Sequence, residues 1–456
     1  MTMMTHRQLA EEGHGTARPQ GLRRGACPTL FEPMQTGDGL LARLRPPAGT
    51  LSLRQFSLLA AAAERLGNGL LEITARGSLQ VRGLRQETAS QFAHELEAAG
   101  FPIPAGPAIE LSPLHGIAPG EIENPAQIEA MLRETFASQL TSPLLAPKLS
   151  ILLDGGGRDG ASSLFADIRI IAAAPARWQL AIDGNGKNAV PLLTGDADAC
   201  VQALGDLLDL LISLGRHRRC RDIPRAELLS MFPLMPTQDL VDKDRADTSL
   251  IGYSPLADGS LALGLRPRFG QIRADQLLAF ITRAEAMGAG QARLGPGRVM
   301  LLVGLSAQAA SEIAAIAVDH GLSGDRDDPS AHIAACAGAG GCASGCYNTR
   351  KLAEALITSA PDLFDGSMVI HLSGCAKGCA WRSHALTLVG ASDGSRLILD
   401  GSSLDAPDAQ IAGGAAESAI ESIARFIKNE RRAGESARSC LSRVGKAAVI
   451  RALRQE

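Results

Sequence analysis

The sequence predicts a mixed α+β and α/β chain, made of two duplicated half-units and two additional α/β lobes. Three observations predict it. Stretches with strand-like and helix-like hydrophobic periods alternate along the chain. One strand–helix–strand order returns at a fixed interval. Each copy is then followed by a longer α/β region. With 456 residues and 47.5 kDa there is room for several compact domains.

Taken in order, residues 1–36 are polar and at first rich in glycine and proline, and read as an extended arm. Alternating apolar positions make 39–45 a strand, and the helical period makes 52–66 a helix. Short strands at 70–74 and 79–81 and a helix at 87–99 complete the first unit. The order returns as a strand at 260–265, a helix at 274–287 and a strand at 298–303. At a constant offset of 221 residues, Arg45-Pro46 faces Arg266-Pro267, Gly49 faces Gly270 and Gln55 faces Gln276. Gly69 likewise faces Gly290, and Gly83-Leu84 faces Gly304-Leu305. This register points to homologous halves around a pseudo-twofold axis.

The region after the first unit carries a strand ending in Asp154-Gly155-Gly156-Gly157, a strand at 167–172 and a helix near 201–214 that leads into the basic stretch 216–225. The region after the second carries the clustered cysteines, and a helix at 444–453 closes a polar tail. The expected organisation is an arm (1–36), a first half-unit (37–110), a first lobe (111–248), a second half-unit (249–306), a cysteine-bearing lobe (307–430) and a tail (431–456).

A formal charge of −3 argues against bulk nucleic-acid binding, and 45% hydrophobic with 20% charged residues argues against a disordered chain. The first residues lack the apolar core of a secretory signal, and runs such as 298–305 and 204–214 are too short or interrupted to span a membrane. A cytoplasmic, reducing setting is expected, in which clustered cysteines read as metal or redox groups.

Five of the nine cysteines fall in one stretch: Cys336, Cys342, Cys346, Cys375 and Cys379. The spacing is C-x5-C followed 33 residues later by C-x3-C. An iron–sulfur cubane needs thiolates converging on one point, and flanking alanines and glycines leave room for it and expose amide donors. Zinc knuckles usually space cysteines by two to four residues, so zinc fits less well. Cys346 reads as a buried residue on the following helix, and Cys27, Cys200, Cys220 and Cys440 as small buried hydrophobes. The G-x-G-x-x-A match at 338–343 is set aside because the residues before it do not read as an apolar strand. The segment 184–187 reads as a hairpin turn.

With these motifs in view, the chain resembles the sirohaem-type nitrite and sulfite reductase superfamily over about residues 27–430. The resemblance rests on the paired cysteine motifs, the duplicated half-unit and the stretch from Lys148 to Gly157. It implies ferredoxin-like half-units and a [4Fe–4S] cluster held by Cys336, Cys342, Cys375 and Cys379, with Cys379 closest to the tetrapyrrole. The departures are Ser150, where the reductases have a second lysine after Lys148, and Lys377, where they have asparagine. Arg76 of the T-x-R segment is kept.

The segments G-A-C-P-x-L-F-x-P-M-x-T-G-D-G-L-L-A-R-L (25–44), S-P-L-x-G (112–116) and L-L-A-P-K-L-S (144–150) are more similar to the precorrin-3B synthase branch. That resemblance implies C20 hydroxylation of precorrin-3A by dioxygen with γ-lactone closure, in aerobic cobalamin biosynthesis. It implies a [4Fe–4S] cluster and a non-haem iron, with the tetrapyrrole as substrate. An external electron-donor protein drawing on NADH is expected, and neither nucleic acid nor membrane as partner. The alternative is a ferredoxin- or NAD(P)H-linked sulfite or nitrite reductase that keeps sirohaem as a cofactor.

Precorrin-3A is ringed with carboxylates, so the pocket should be cationic, and arginine pairs bidentately with carboxylate. The candidates are Arg43, Arg45, Arg76, Arg82, Lys148, Arg216, Arg218, Arg219, Arg221, Arg225 and Lys377. Gly155, Gly156 and Gly157 would let the backbone approach a flat ligand. A non-haem iron commonly takes histidine and carboxylate ligands. His115, His371 and His384 are the candidates, although no histidine pair has facial-triad spacing.

Overall fold

The computed structural model describes residues 28–157, 161–232, 249–381 and 383–454. Cys27 and most of the expected arm lie outside the described residues; within it, 34–36 form a strand.

The first half-unit contains β1 (Met34–Thr36), β2 (Gly39–Leu44), β3 (Thr50–Ser52), α1 (Leu53–Leu66), β4 (Leu70–Ile73), β5 (Leu79–Leu84) and α2 (Gln86–Ala98). Helix α1 starts where it does because Ser52 caps it. The Ser52 hydroxyl accepts from the Gln55 amide at 3.2 Å, and the Gln55 side chain accepts from the Ser52 amide at 2.9 Å.

The first lobe contains β6 (Ala108–Leu111), α3 (Ala126–Thr135), α4 (Ala137–Leu140), β7 (Ser150–Asp154), β8 (Ala166–Ala174), β9 (Arg177–Gly184), β10 (Val190–Gly195), α5 (Ala197–Leu214) and α6 (Arg225–Met231). Strands β9 and β10 form the expected hairpin about 184–187.

The second half-unit contains β11 (Gly252–Pro255), β12 (Leu261–Pro267), β13 (Gln271–Arg273), α7 (Ala274–Ala286), β14 (Gln291–Gly295) and β15 (Val299–Leu305), followed by α8 (Ala307–Ala317) and β16 (Leu322–Ser323). The cysteine lobe contains β17 (Ile333–Ala335), an irregular turn α9 (Gly338–Gly341), α10 (Thr349–Ser359), β18 (Ile370–Ser373), β19 (Ala385–Ala391), β20 (Gly394–Gly401), β21 (Ala409–Ile411), α11 (Ala416–Glu430), α12 (Ala437–Val444) and α13 (Lys446–Arg454).

The half-units exchange strands. Strand β13 of the second joins the sheet of the first beside β4, with Gln271 opposite Glu72 and Ile272 opposite Leu71. Strand β3 of the first joins the sheet of the second beside β14, with Leu51 opposite Ala292. The exchange follows the 221-residue offset, which also relates Ala48 to Phe269, both at positive φ (53° and 56°). One core then spans both halves and includes Leu51, Leu71, Ile272, Ala292, Phe56 and Phe280.

The duplication extends further than the sequence reading found. The first lobe's sheet runs β6-β7-β8-β9-β10 and the cysteine lobe's runs β17-β18-β19-β20-β21. In each, the first three strands are parallel and the last two antiparallel.

Three expectations are corrected. The residues before the G-x-G-x-x-A match do form a strand, β17, because parallel pairing with β18 overrides their weak pattern. The last helix begins at Lys446, since Gly445 at φ +79° ends α12 first. Segment 431–456 also carries α12, and its Cys440 and Val449 are buried in the core of the cysteine lobe.

Leu51 is 1% exposed and Ile272 is 4% exposed, at offset-related positions on the exchanged strands. Leu51→Ala and Ile272→Ala are each expected to cost about 2–5 kcal/mol, read as a fall in the urea midpoint. Leu58→Ala, on the exposed side of α1, is the control and should change it little.

Candidate functional site

The cysteine motifs sit at the carboxyl ends of adjacent parallel strands, where open α/β sheets place their ligands. Cys336 follows β17 and Cys375 follows β18 by one residue. The Cys336 amide donates to the Leu372 carbonyl (3.1 Å) and the Gly374 amide donates to Cys336 Sγ (3.1 Å). Burial pushes the Cys336 thiol up, opposed by amides of Gly374 and Gly338, and the nearby Cys379 and Cys375 raise it further. The loops fit because glycines meet: a side chain on Gly374 would stand 3.2 Å from the Cα atoms of Gly338 and Gly345. Lys377 Nζ donates to Ser344 Oγ (3.0 Å), joining the loop of Cys375 and Cys379 to that of Cys342.

Among the described residues, no three His, Cys, Asp or Glu side chains stand close enough to share one metal ion. Four cysteines on two small-residue loops, with the Gly374 and Gly338 amides directed at Cys336 Sγ, have the donor chemistry that an iron–sulfur cluster would need. Cys346, expected to be buried on the next helix, is exposed in the loop. Asn348 caps α10, accepting from the Lys351 amide (2.9 Å), so that helix starts only at Thr349. Cys200, Cys220 and Cys440 are buried as expected.

The first half-unit turns a polar sheet face to this lobe. Alternation puts Leu71, Leu79 and Val81 into the core and leaves Arg43, Arg45, Glu72, Gln80 and Arg82 on the other side. Arg82 is 3% exposed. Its Nε and Nη2 donate to the Asp38 carboxylate, both at 2.9 Å, and Nη2 also donates to the Gly341 carbonyl in the cysteine loop. With the Gln80 amide oxygen turned to Arg43, Nε donates to it at 2.8 Å. Arg45 is half-buried and, among the described residues, has no hydrogen bond or ion pair. Arg350 Nη1 of α10 reaches Gln271 at 2.9 Å across the same seam.

The second half-unit has lost this face. At the 221-residue offset Arg43, Gln80 and Arg82 become Gly264, Leu301 and Val303. Leu301 and Val303 pack under Leu114, Ala118, Leu250 and Leu256. Segment 112–116 thus plugs the second face rather than lining an open one. Buried Arg293 holds it, donating from Nη1 to the carbonyls of His115 (2.7 Å) and Pro113 (3.3 Å).

The remaining cations divide into groups. Arg76 Nε donates to Glu110 (2.8 Å), Nη2 completes a bidentate pair, and Nη1 donates to the Phe165 carbonyl (2.7 Å). Burial would lower the Arg76 pKa, but Glu110 more than offsets it and holds it raised. Ser150 gives both its amide (2.9 Å) and its hydroxyl (3.0 Å) to fully buried Asp167, which also takes Arg219. Arg221 lies 3.7 Å from Asp167 and over the Phe165 ring at 4.9 Å. Lys148 is half-buried at the entry to β7, Arg216 and Arg218 are exposed, and Arg225 opens α6.

The space around Gly155 and Gly156 is filled by the chain itself. The amides of Ile122 and Glu123 donate to the Gly155 carbonyl (2.8 and 3.1 Å), and a side chain on Gly156 would stand 2.7 Å from Ile122 Cδ1. Those two glycines face protein, and Gly157 is buried.

The histidines do not gather. His115 Nδ1 lies 2.7 Å from the Ser112 carbonyl, and burial with Arg293 nearby lowers its pKa to about 4. His371 is fully buried on β18, neither ring nitrogen has a hydrogen-bond partner among the described residues, and burial with Arg298 nearby lowers its pKa to about 4. His384 is exposed, 3.8 Å from Asp400. The sequence reading missed Arg266 and Arg298 as site residues. Burial and neighbouring Arg298 lower the Arg266 pKa to about 10, and its Nη1 donates to the Ala331 carbonyl in the cysteine lobe (3.1 Å). The signal was available, since Arg266 is the repeat mate of Arg45.

Residues 32–99 match the model of the nitrite/sulfite reductase ferredoxin-like half domain. The structure of the NirA protein of Mycobacterium tuberculosis superposes with a TM-score of 0.71 at 16% identity, covering 90% of this chain and 84% of that one. A ferredoxin–nitrite reductase of Synechococcus elongatus is 32% identical over 157 residues, 32% of this chain and 30% of that protein. A precorrin-3B synthase of Sinorhizobium sp. is 41% identical over 438 residues, 95% of each chain. Near-complete coverage at that identity, on a reductase-type fold with the paired cysteine loops in place, places the chain in the precorrin-3B synthase family.

Proposed function

We propose that this chain is an oxygen-dependent precorrin-3B synthase that hydroxylates C20 of precorrin-3A and closes a γ-lactone from the ring A acetate. The observation that carries the reading is the 41% identity to a precorrin-3B synthase across 95% of both chains. The polar face of the first half-unit supports it, since it offers arginines to a carboxylate-rich macrocycle beside the cysteine loops.

Cys336, Cys342, Cys375 and Cys379 would hold a [4Fe–4S] cluster, which supplies one-electron transfer when bound. Insertion of one oxygen atom from dioxygen, with the other leaving as water, consumes two electrons and two protons from outside the substrate. An electron-donor protein drawing on NADH is the proposed source, acting in the cytoplasm. The non-haem iron is part of the same reading; His115, His371 and His384 do not gather, and no ligand set for it stands together among the described residues. No helix among the described residues is long and apolar enough to cross a membrane.

This chain's own residues bind and orient the substrate. Arg45 has no hydrogen bond or ion pair among the described residues and offers its guanidinium on the polar face, while Arg266, and Arg298 at 3.5 Å from Glu72, add positive charge beside the cysteine lobe. Arg219 is fixed by Asp167 at the position beside Ser150, so its charge stands near where the reductases use a second lysine. Arg76, already paired with Glu110, holds the first half-unit to the first lobe.

The as-purified protein should show a broad iron–sulfur absorbance without sharp sirohaem bands; stoichiometric sirohaem would instead identify a nitrite or sulfite reductase. Arg45→Ala should raise KM for precorrin-3A about tenfold or more with kcat nearly unchanged, as expected for loss of a charged hydrogen bond made equally in ground and transition states. An unchanged KM would remove Arg45 from the pocket.

A further inference from the structure

We propose that the 36–39 turn and Arg82 form a charged cradle that positions the Cys342 loop and sets the reduction potential of the cluster that loop would hold. The inference rests on the reading above and gives Arg82 and the 36–39 turn a role apart from substrate binding. It accounts for the T-G-D-G segment, whose role neither the fold nor the substrate explains.

The turn and the cysteine loop are in direct contact. A side chain on Gly37 would stand 2.8 Å from both the Ala343 nitrogen and the Cys342 carbonyl carbon. Only a residue without a Cβ lets the turn lie against this peptide. Asp38 is held from three sides, by Arg82 Nε and Nη2 at 2.9 Å, by Thr36 Oγ1 at 2.7 Å and by Asn68 Nδ2 at 3.1 Å. Arg82 in turn donates to the Gly341 carbonyl, and its Nη1 lies 3.7 Å from Glu72. The Gly341 carbonyl and the Cys342 amide belong to one peptide group, so the guanidinium polarises the unit that carries a ligand.

These charges lie in a region of low dielectric, Arg82 at 3% and Asp38 at 13% side-chain exposure. Charges there act over longer distances than in water. A cation beside a cluster favours its reduced, more negative state, and a carboxylate disfavours it. The cradle therefore acts on the loop in two ways, through contact and through field.

The fold supplies its own control. Arg293 does the same mechanical work on the topological counterpart of the Cys342 loop, donating to the carbonyls of Pro113 and His115 after β6. That loop, 112–116, has no cysteine. A strut that only stabilises the fold would behave like Arg293.

The test uses the full chain, purified without oxygen, with iron and sulfide counted per chain and the cluster titrated by electron paramagnetic resonance. Arg82→Gln should move the midpoint potential to more negative values and Asp38→Asn to less negative ones. Arg82→Lys keeps the charge and should stay nearer the wild type than Arg82→Gln. Gly37→Ala should reduce the iron retained. Arg293→Gln should leave the potential unchanged even where it lowers thermal stability. Potentials unmoved by Arg82→Gln and Asp38→Asn, a shift of the same sign from both, or an equal shift from Arg293→Gln would overturn the inference. A wild-type chain that binds no iron and sulfide would overturn the functional reading as well, so the two failures are distinguishable.

Discussion

The exchange of strands β3 and β13 between the two half-units is the constraint on which the rest of the molecule depends. Each exchanged strand is only three residues long, yet each closes the other half's sheet and buries an aliphatic side chain in a common core. The two sheets cannot then move independently. Their outer faces are fixed relative to each other, and the lobes that follow each half dock against them. An arginine from one half-unit grips the cysteine loop, and an arginine from the other grips the 112–116 loop.

Duplication of this kind makes two equivalent sheet faces, and the chain has kept most of the polar positions on only one of them. Where the first sheet shows Arg43, Gln80 and Arg82, the second has Gly264, Leu301 and Val303 and is closed under Leu114, Ala118, Leu250 and Leu256. The lobes are specialised in the same way. Carboxyl ends of parallel strands bear cysteines in one lobe, while in the other they bear Pro113, His115 and the Gly155-Gly156 turn, all packed against protein. Burying the second face in aliphatic side chains stabilises the assembly through removal of apolar surface from water. The first face keeps partly unmet charge, which an anionic ligand could neutralise.

Much of the fold was legible in the sequence. The 221-residue register and the alternation of β2, β4 and β5 carry their own signal, and each corresponds to an observed element. The cysteine pairing was legible too, because thiolates, small neighbours and spacing are local. What the sequence hid was non-local. Strands β3, β13 and β17 have three residues each, too few to show a period, and exist only through their partners. The duplication of the lobes leaves too few residue identities at that offset to reveal it, Gly157 and Gly378 being one such pair. Whether an arginine is free or already paired depends on distant carboxylates. Glu110 engages Arg76 and Asp167 engages Arg219, and nothing near either arginine in sequence announces it.

The account joins a cysteine lobe and one polar sheet face into a single site acting on a tetrapyrrole. Mass spectrometry of precorrin-3A after incubation with the protein, a reductant and isotopically labelled dioxygen tests this most directly. The account predicts a product carrying one labelled oxygen atom and a closed lactone. Unchanged precorrin-3A, from protein that instead reduces nitrite or sulfite, would contradict it.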